Sequence, residues 1–127
     1  MRVALLCTGA WWAAQCWHPA DTLGGTPSYR WFVEFAAAAG FGASPERFWA
    51  CVFTLETAAG VAALARRTTA VRFLSALFVG VVRGAMAWGI FSSNPANPGW
   101  GVYLVLACLA YWLAAYNARA WSGGGRA

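Results

Sequence analysis

Four apolar runs, separated by short polar turns, constrain the fold of this chain more than any other feature. They cover about residues 3–17, 47–65, 70–91 and 100–117. Only 10% of the residues are charged and 61% are hydrophobic, whereas a soluble domain carries about a quarter charged residues. The last three runs approach the roughly 20 residues that a helix needs to cross about 30 Å of hydrocarbon. The sequence therefore predicts an all-α integral membrane bundle of four transmembrane helices.

The first run is open to two interpretations. A short basic start precedes the apolar residues 3–17, which is also the pattern of a signal peptide, with cleavage near Ala14. Bulky Trp12 and Trp17 lie where a cleavage region uses small residues. We therefore favour a short first transmembrane helix.

A shorter apolar segment lies between the first and second runs. Thr26-Pro27 is typical of an N-cap followed by proline at the first helical position, and Gly40 is expected to close the helix. The segment 27–39 contains Glu34 and is too short to span a bilayer. It is predicted to be a helix in the membrane interface, with a re-entrant segment as the alternative.

The arginines predict the orientation of the bundle. Lysine is absent, and with a cytoplasmic N-terminus most arginines fall on the cytoplasmic side, as the positive-inside rule requires. These are Arg2, Arg66, Arg67, Arg72, Arg119 and Arg126, against Arg30 and Arg47 outside. Five tryptophans then gather at the outer interface as expected anchors: Trp17, Trp31, Trp49, Trp88 and Trp100. The expected location is the inner membrane, with both termini cytoplasmic and the lipid bilayer, not nucleic acid, as partner.

Two charged residues lie inside the apolar runs. An isolated charge at the bilayer centre costs at least ~2.5 kcal/mol, so Glu56 and Arg83 are predicted to form an intramembrane ion pair. Counted from Arg66 and Arg72 at about 1.5 Å per residue, both lie roughly 15 Å deep. The pair either locks the second and third spans together or forms part of a proton or ion relay. A relay would use more polar side chains along a path, and these spans offer only Thr54, Thr57 and Ser75, which favours the structural pair.

Small residues follow the faces that carry these two charges. Helices in membranes approach closely where small residues recur at intervals of three or four. The sequence therefore predicts close packing of the second and third spans through two groups of residues. They are Ala59, Gly60 and Ala63 on the second span, and Ala76, Gly80 and Gly84 on the third.

No pattern in the chain indicates an active site, a metal or a cofactor. The four cysteines form no C-x-x-C pair and have no histidine at ligand spacing, and inside apolar runs cysteine behaves as a small hydrophobe. We predict a non-enzymatic single domain over residues 1–121 and a disordered, glycine-rich tail over 122–127. Further copies of the chain or other membrane proteins are the expected protein partners.

Several local features carry a family resemblance. Thr26-Pro27-Ser28-Tyr29 lies ahead of a short helix, Phe48-Trp49 opens the second span, and an arginine-bearing turn precedes the third. Tyr103 begins the last span, which ends in Ala114-Ala115-Tyr116-Asn117-Ala118. In these features the chain resembles small four-span membrane proteins of unknown function carried by tailed bacteriophages and prophages. The resemblance implies an inner-membrane accessory for lysis (holin-like), superinfection exclusion or genome entry, without catalytic residues.

A second resemblance leads to a different class of protein. Glu56-Thr57-Ala58-Ala59-Gly60 ahead of Arg66-Arg67 is similar to the Glu-x-x-x-Gly before a basic turn in DoxX-type four-span proteins. That resemblance implies a subunit associated with a respiratory chain, although the arginine and glycine expected in its first span are missing. Small multidrug-resistance transporters are of similar size, but they carry an essential glutamate in the first span, and this first run contains no acid.

Overall fold

The computed structural model describes residues 2–18, 23, 25–66 and 68–123, and all the regular structure in that part of the chain is helical. The predicted all-α class is confirmed. Arg67 and residues 124–127 of the predicted tail lie outside the described residues. The helices are α1 (Arg2–Trp17), α2 (Arg30–Ala36), α3 (Pro45–Ala65), α4 (Thr69–Ser93) and α5 (Gly99–Gly123).

Helix α1 is shorter than the other three long helices. By length and composition, α3, α4 and α5 are each able to cross a membrane. The 16 residues of α1 extend over only about 24 Å at 1.5 Å per residue. Three long apolar helices are compatible with a membrane protein.

The long helices form an antiparallel bundle. Short turns connect α3 to α4 and α4 to α5, and a short connection makes consecutive helices antiparallel neighbours. The most extensive contacts join α4 to α5 and α1 to α3, and α3 touches α4 less extensively. At one end, Arg2 Nη2 on α1 donates a hydrogen bond to Asn117 Oδ1 on α5 at 3.1 Å.

The other end of the bundle is closed by aromatic side chains, which we call the aromatic cap. Phe32 and Ala36 of α2 are buried there against α3 and α4. Trp49 Nε1 donates to the Phe32 carbonyl at 2.9 Å, and Gly89 of α4 leaves room for the rings of α2. The aromatic cap consists of Trp12, Tyr29, Trp31, Phe32, Phe35, Phe48, Trp49 and Phe53.

The segment predicted as one helix over 27–39 is divided into three parts. A single 3-10 turn, Pro27–Tyr29, precedes α2, and a π-helical turn, Ala37–Phe41, follows it. Proline begins the first part as predicted, but the Thr26 side chain makes no capping hydrogen bond. Gly40 adopts φ +91°, a left-handed conformation that glycine adopts readily, and it ends the helical path.

The last helix is longer than predicted. It continues through Gly123, so Ser122 and Gly123 belong to the helix, and their assignment to a disordered tail was wrong. The extra turn is stabilised because Trp121 packs against Phe73 of α4, with ring centroids 6.1 Å apart. In addition, the Ser122 hydroxyl donates to the Arg119 carbonyl at 3.0 Å.

A buried ion pair as the candidate functional site

Glu56 of α3 and Arg83 of α4 lie in contact in the interior of the bundle. Arg83 Nη2 is 2.7 Å from Glu56 Oε1, and the two side chains are 0% and 2% exposed, respectively. The equal depths counted from the turn between these helices were the basis for predicting the pair. A charge-assisted hydrogen bond of this length compensates part of the large cost of burying two charges.

Helix α1 completes the site, and sequence reasoning missed this contribution. Arg83 Nη2 also donates to Thr8 Oγ1 of α1 at 3.2 Å. Next to Thr8, a Cβ added to Gly9 would lie 3.3 Å from Glu56 Oε1 and 3.2 Å from Thr57 Oγ1. Gly9 is the only glycine in the first apolar run, and this was the available signal for a close approach to a neighbouring helix.

Two further side chains of the bundle core, Met86 and Phe53, contact the guanidinium group of Arg83. Arg83 Nη1 donates to Met86 Sδ at 3.3 Å, and the guanidinium carbon lies 5.9 Å from the centroid of the Phe53 ring. A cation over an aromatic face at that distance is attracted by the ring quadrupole. The arginine is therefore held by side chains of α1, α3 and its own helix α4 in addition to the carboxylate.

Not every polar atom of the site has a protein partner. Glu56 Oε2 and Arg83 Nε are buried and form no hydrogen bond with any residue that the structure describes, and the same holds for Arg72 Nε. Glu56 and Arg72 both line a small cavity of about 30 Å³, together with Ser75. An unsatisfied buried polar atom costs about 1–3 kcal/mol, so the pair is only partly compensated by its protein contacts.

The predicted packing residues join different helices from those expected. A Cβ on Gly80 would lie 2.9 Å from the Tyr111 ring of α5, and one on Gly60 would lie 3.1 Å from Leu6 of α1. Gly84 also faces Tyr111, at 3.9 Å. The prediction that these glycines bring α3 and α4 together was wrong, because each glycine serves its helix's main neighbour.

The three alanines that were predicted to pack α3 against α4, Ala59, Ala63 and Ala76, line a cavity or a groove instead. Ala63 and Ala76 line the small cavity beside Glu56. Ala59 lines a surface groove between α3 and α4. Small side chains here leave space between the two helices, which agrees with their limited contact.

One of the five tryptophans differs from its predicted role. Trp49 is only 3% exposed and its indole is part of the aromatic cap, so it cannot anchor in lipid, and that prediction was wrong. Trp17 and Trp88 are exposed, and Trp31 and Trp100 are half-buried. These four lie at the end of the bundle that is opposite Arg2, and their insertion into a membrane interface stays a prediction.

The aromatic end also contains polar contacts. Ser28 Oγ is buried and accepts a hydrogen bond from Asn97 Nδ2 at 3.0 Å, while Ser93 Oγ accepts one from the Trp31 backbone at 3.0 Å. The pKa of Tyr29 is raised above its ordinary value, first by burial and second by the nearby Cys16 thiol. Its phenol therefore stays neutral in the physiological range. The hydrogen bond of Trp31 ties α2 to the end of α4, and that of Ser28 ties the preceding 3-10 turn to the turn between α4 and α5.

The described part of the chain brings no three His, Cys, Asp or Glu side chains together as metal ligands would be arranged. The four cysteine thiols are free: Cys16 is buried, and Cys7, Cys51 and Cys108 are exposed. The site consists of a buried carboxylate, with one oxygen unpaired among the described residues, and a buried guanidinium, with one N–H unpaired among them. Such a pair can hold helices together or exchange a proton.

Comparison with known proteins adds no relative from which to transfer a function. No protein-family model, no curated protein and no solved structure matches the chain significantly. The resemblances to phage-encoded and DoxX-type proteins consequently depend on the local sequence features alone. Inferences about function have to start from the geometry of the bundle.

Proposed function

We propose that this chain is a non-enzymatic, multi-pass inner-membrane protein that crosses the bilayer four times and acts through its outer surface. The observation that carries the proposal is the apolar outside of the bundle. Large hydrophobic side chains are exposed along all four long helices, whereas a monomeric soluble protein rarely exposes a contiguous apolar patch of more than a few hundred Å². They include Val3, Trp11, Leu55, Val61, Leu74, Val81, Val102, Val105 and Trp112.

In this proposal α1 is the fourth transmembrane helix. It packs along α3, buries Leu5, Gly9 and Cys16, and contributes Thr8 to the ion pair at the centre of the bundle. A helix somewhat shorter than the bilayer thickness is accommodated by local thinning, at a cost of fractions of a kcal/mol per Å. The short α2 then lies at the outer interface, with Arg30 and Glu34 exposed and paired at 3.4 Å.

The charges support a cytoplasmic position for the end that carries Arg2. Arg2, Arg66, Arg72 and Arg119 all lie at helix termini of that end, and arginine is enriched on the cytoplasmic side. The opposite end carries Arg30 and Arg47, accompanied by the acids Glu34 and Glu46. Both ends of the chain would therefore be cytoplasmic.

The role that we propose is a phage-like membrane accessory, with holin-like activity as the specific hypothesis. The bundle interior is packed and its apolar outer surface is free for lipid and for further copies of the chain, which a membrane lesion would require. Controlled expression in a bacterial inner membrane, followed with a potential-sensitive dye, tests this. A holin-like protein is expected to collapse the potential abruptly after a fixed delay.

A matched variant controls for the burden of overexpression. In Gly80→Ile the spans remain apolar, but the added side chain collides with Tyr111, since even a Cβ would lie 2.9 Å from its ring. This variant should insert and should not trigger the collapse. An unchanged potential with the native chain, or equal collapse with both chains, would exclude the holin-like role.

One observation favours a second candidate, a proton-coupled transporter. Glu56 has an unpartnered oxygen and lies beside a cavity, and intramembrane acids commonly mark proton pathways. The double variant Glu56→Gln with Arg83→Gln separates the two roles. It replaces both charges with neutral amides, isosteric at Glu56 and shorter at Arg83, and should abolish a proton-coupled activity, whereas an activity that depends only on the fold should survive.

A further inference from the structure

The carboxylate of Glu56 has one oxygen that the protein leaves free. Oε1 accepts the hydrogen bond from Arg83, whereas Oε2 is buried and accepts none from the described residues. An ionised carboxylate has about four acceptor sites on its two oxygens. In a side chain that is only 2% exposed, such an oxygen needs a donor beyond the described residues.

The adjacent cavity has the size and polarity to supply that donor. It lies between all four long helices, with Leu6 from α1, Glu56 from α3, Arg72 and Ser75 from α4, and Leu113 from α5 among its lining. Its volume is about 30 Å³, whereas one ordered water needs at least about 10–15 Å³ and two to four polar partners. There is room for one or two water molecules.

Three polar groups around the cavity provide these partners. Glu56 Oε2 is a free acceptor, Arg72 Nε is a free buried donor, and the Ser75 hydroxyl can donate or accept. Arg72 and Ser75 lie in the first two turns of α4, so the cavity extends from the arginine-bearing end of the bundle towards the ion pair.

We infer that this cavity is a hydrated site in which water bridges Glu56 to Arg72 and opens the buried carboxylate to solvent at the arginine-bearing end only. The inference does not depend on the proposed role or on the direction of insertion. The charged groups that line the site besides Glu56 are Arg2 from α1 and Arg72 from α4, with Arg83 paired to the carboxylate. A surplus of arginine disfavours metal cations there and leaves water and protons as the ligands.

The opposite side of the ion pair is closed by aromatic rings. Phe53 covers Arg83, and its ring centroid lies 5.7 Å from that of Trp12 and 5.9 Å from that of Trp49. Trp12 Nε1 donates to the Tyr103 hydroxyl at 2.8 Å, which ties α1 to α5 above the pair. A surface groove between α1 and α5 reaches Thr8 on this side, but Glu56 does not line it. Because rings pack around Arg83 and the groove does not reach the carboxylate, we place the end of the hydrated path at Glu56.

Accessibility of single cysteines to Ag⁺ tests the inference. The four native cysteines are replaced by alanine, and one cysteine is introduced at Ser75 or, as the matched control, at Ala87. Both positions are on α4 and similarly buried, 7% and 6% exposed, but of the two only Ser75 lines the cavity. Ser75 also lines the surface groove that contains Ala59, so the cavity is separated from the groove by a substitution at Ala63, which lines the cavity but not the groove. Ag⁺ is added to either side of proteoliposomes, and the remaining thiol is counted with maleimide after denaturation.

We expect Ser75→Cys to react about tenfold faster than Ala87→Cys, because a thiol without a hydrated path reacts only through local opening. The fast reaction should occur from the arginine-bearing side alone. Adding Ala63→Leu, which fills the cavity, should slow it. Equal rates at the two positions, or equal reaction from both sides, would overturn the inference.

A second measurement avoids any change at the site. In the native chain, the infrared guanidinium band that Arg83→Gln removes should shift within minutes of transfer into D₂O, because water that reaches the ion pair exchanges the N–H protons of Arg83. A band that stays unchanged until the protein is unfolded would show a dry site. Neither test uses the membrane potential or the reporter topology, so a failure here is distinct from a failure of the proposed function.

Discussion

Breaking the Glu56–Arg83 pair one side at a time should destabilise the bundle more than removing both charges. The contact of 2.7 Å between side chains that are 0% and 2% exposed corresponds to about 6 kcal/mol of attraction at an effective dielectric constant near 20, before desolvation is subtracted. Removing one partner of a buried pair typically costs about 3–5 kcal/mol. We therefore expect Glu56→Leu and Arg83→Leu each to lower the free energy of unfolding by about 3 kcal/mol.

The surroundings of each charge predict which single variant is worse. Without Glu56, Arg83 stays charged, because arginine does not deprotonate in proteins, and it retains only Thr8 and Met86 as hydrogen-bond partners. Without Arg83, the Glu56 carboxyl can take up a proton and become neutral. The order of destabilisation should be Glu56→Leu, then Arg83→Leu, then the double variant.

Reversible unfolding in bicelles measures the four stabilities of the cycle. Polar contacts in membranes couple by about 0.6 kcal/mol on average and 1.7 at most. With single losses of about 3 kcal/mol and a smaller loss for the double variant, this fully buried charged pair should couple by more than about 3 kcal/mol. The exposed pair Arg30–Glu34, with side chains 72% and 65% exposed, is the internal control and should couple by no more than about 0.5 kcal/mol. Additive single effects at Glu56 and Arg83 would refute the reasoning.

Three further predictions concern packing and topology. Gly89→Ala places a Cβ 2.5 Å from a ring of the aromatic cap and should lower the free energy of unfolding by about 1–3 kcal/mol. The control Gly101→Ala, whose Cβ would have nothing within 4 Å, should be neutral. Equal effects of the two variants would contradict the docking of α2. Gly80→Ala alone should lower the thermal unfolding temperature, and adding Tyr111→Ala should restore most of the loss. If it does not, the added methyl group collides with a different residue. Alkaline phosphatase and green fluorescent protein fusions should read out, in, out and in, and a periplasmic C-terminus would end the four-span proposal. The fusion points are Arg30, Thr69, Asn97 and Ala127.

The apolar runs and the turns between them were sufficient to predict the helical architecture from the sequence. Backbone groups in hydrocarbon have to be satisfied within the segment, so long apolar runs predict helices directly. Proline and glycine marked several boundaries for local steric reasons, at Pro27, Gly40 and Pro45. Equal depth from a short turn was enough to pair Glu56 with Arg83, because the rise of a helix per residue is constant.

The tertiary structure alone decided which helices pack on which faces. Seen from the sequence, Gly60 and Gly80 were equally suited to an α3–α4 contact, but they face α1 and α5, because a small residue permits close approach without selecting the partner. Trp49 has the amphipathic side chain of an interfacial anchor, yet α2 folds over it and its indole N–H is satisfied by the Phe32 carbonyl. The contribution of Thr8 and the one-sided cavity beside Glu56 likewise follow from the position of α1, which is a long-range arrangement that no local pattern encodes.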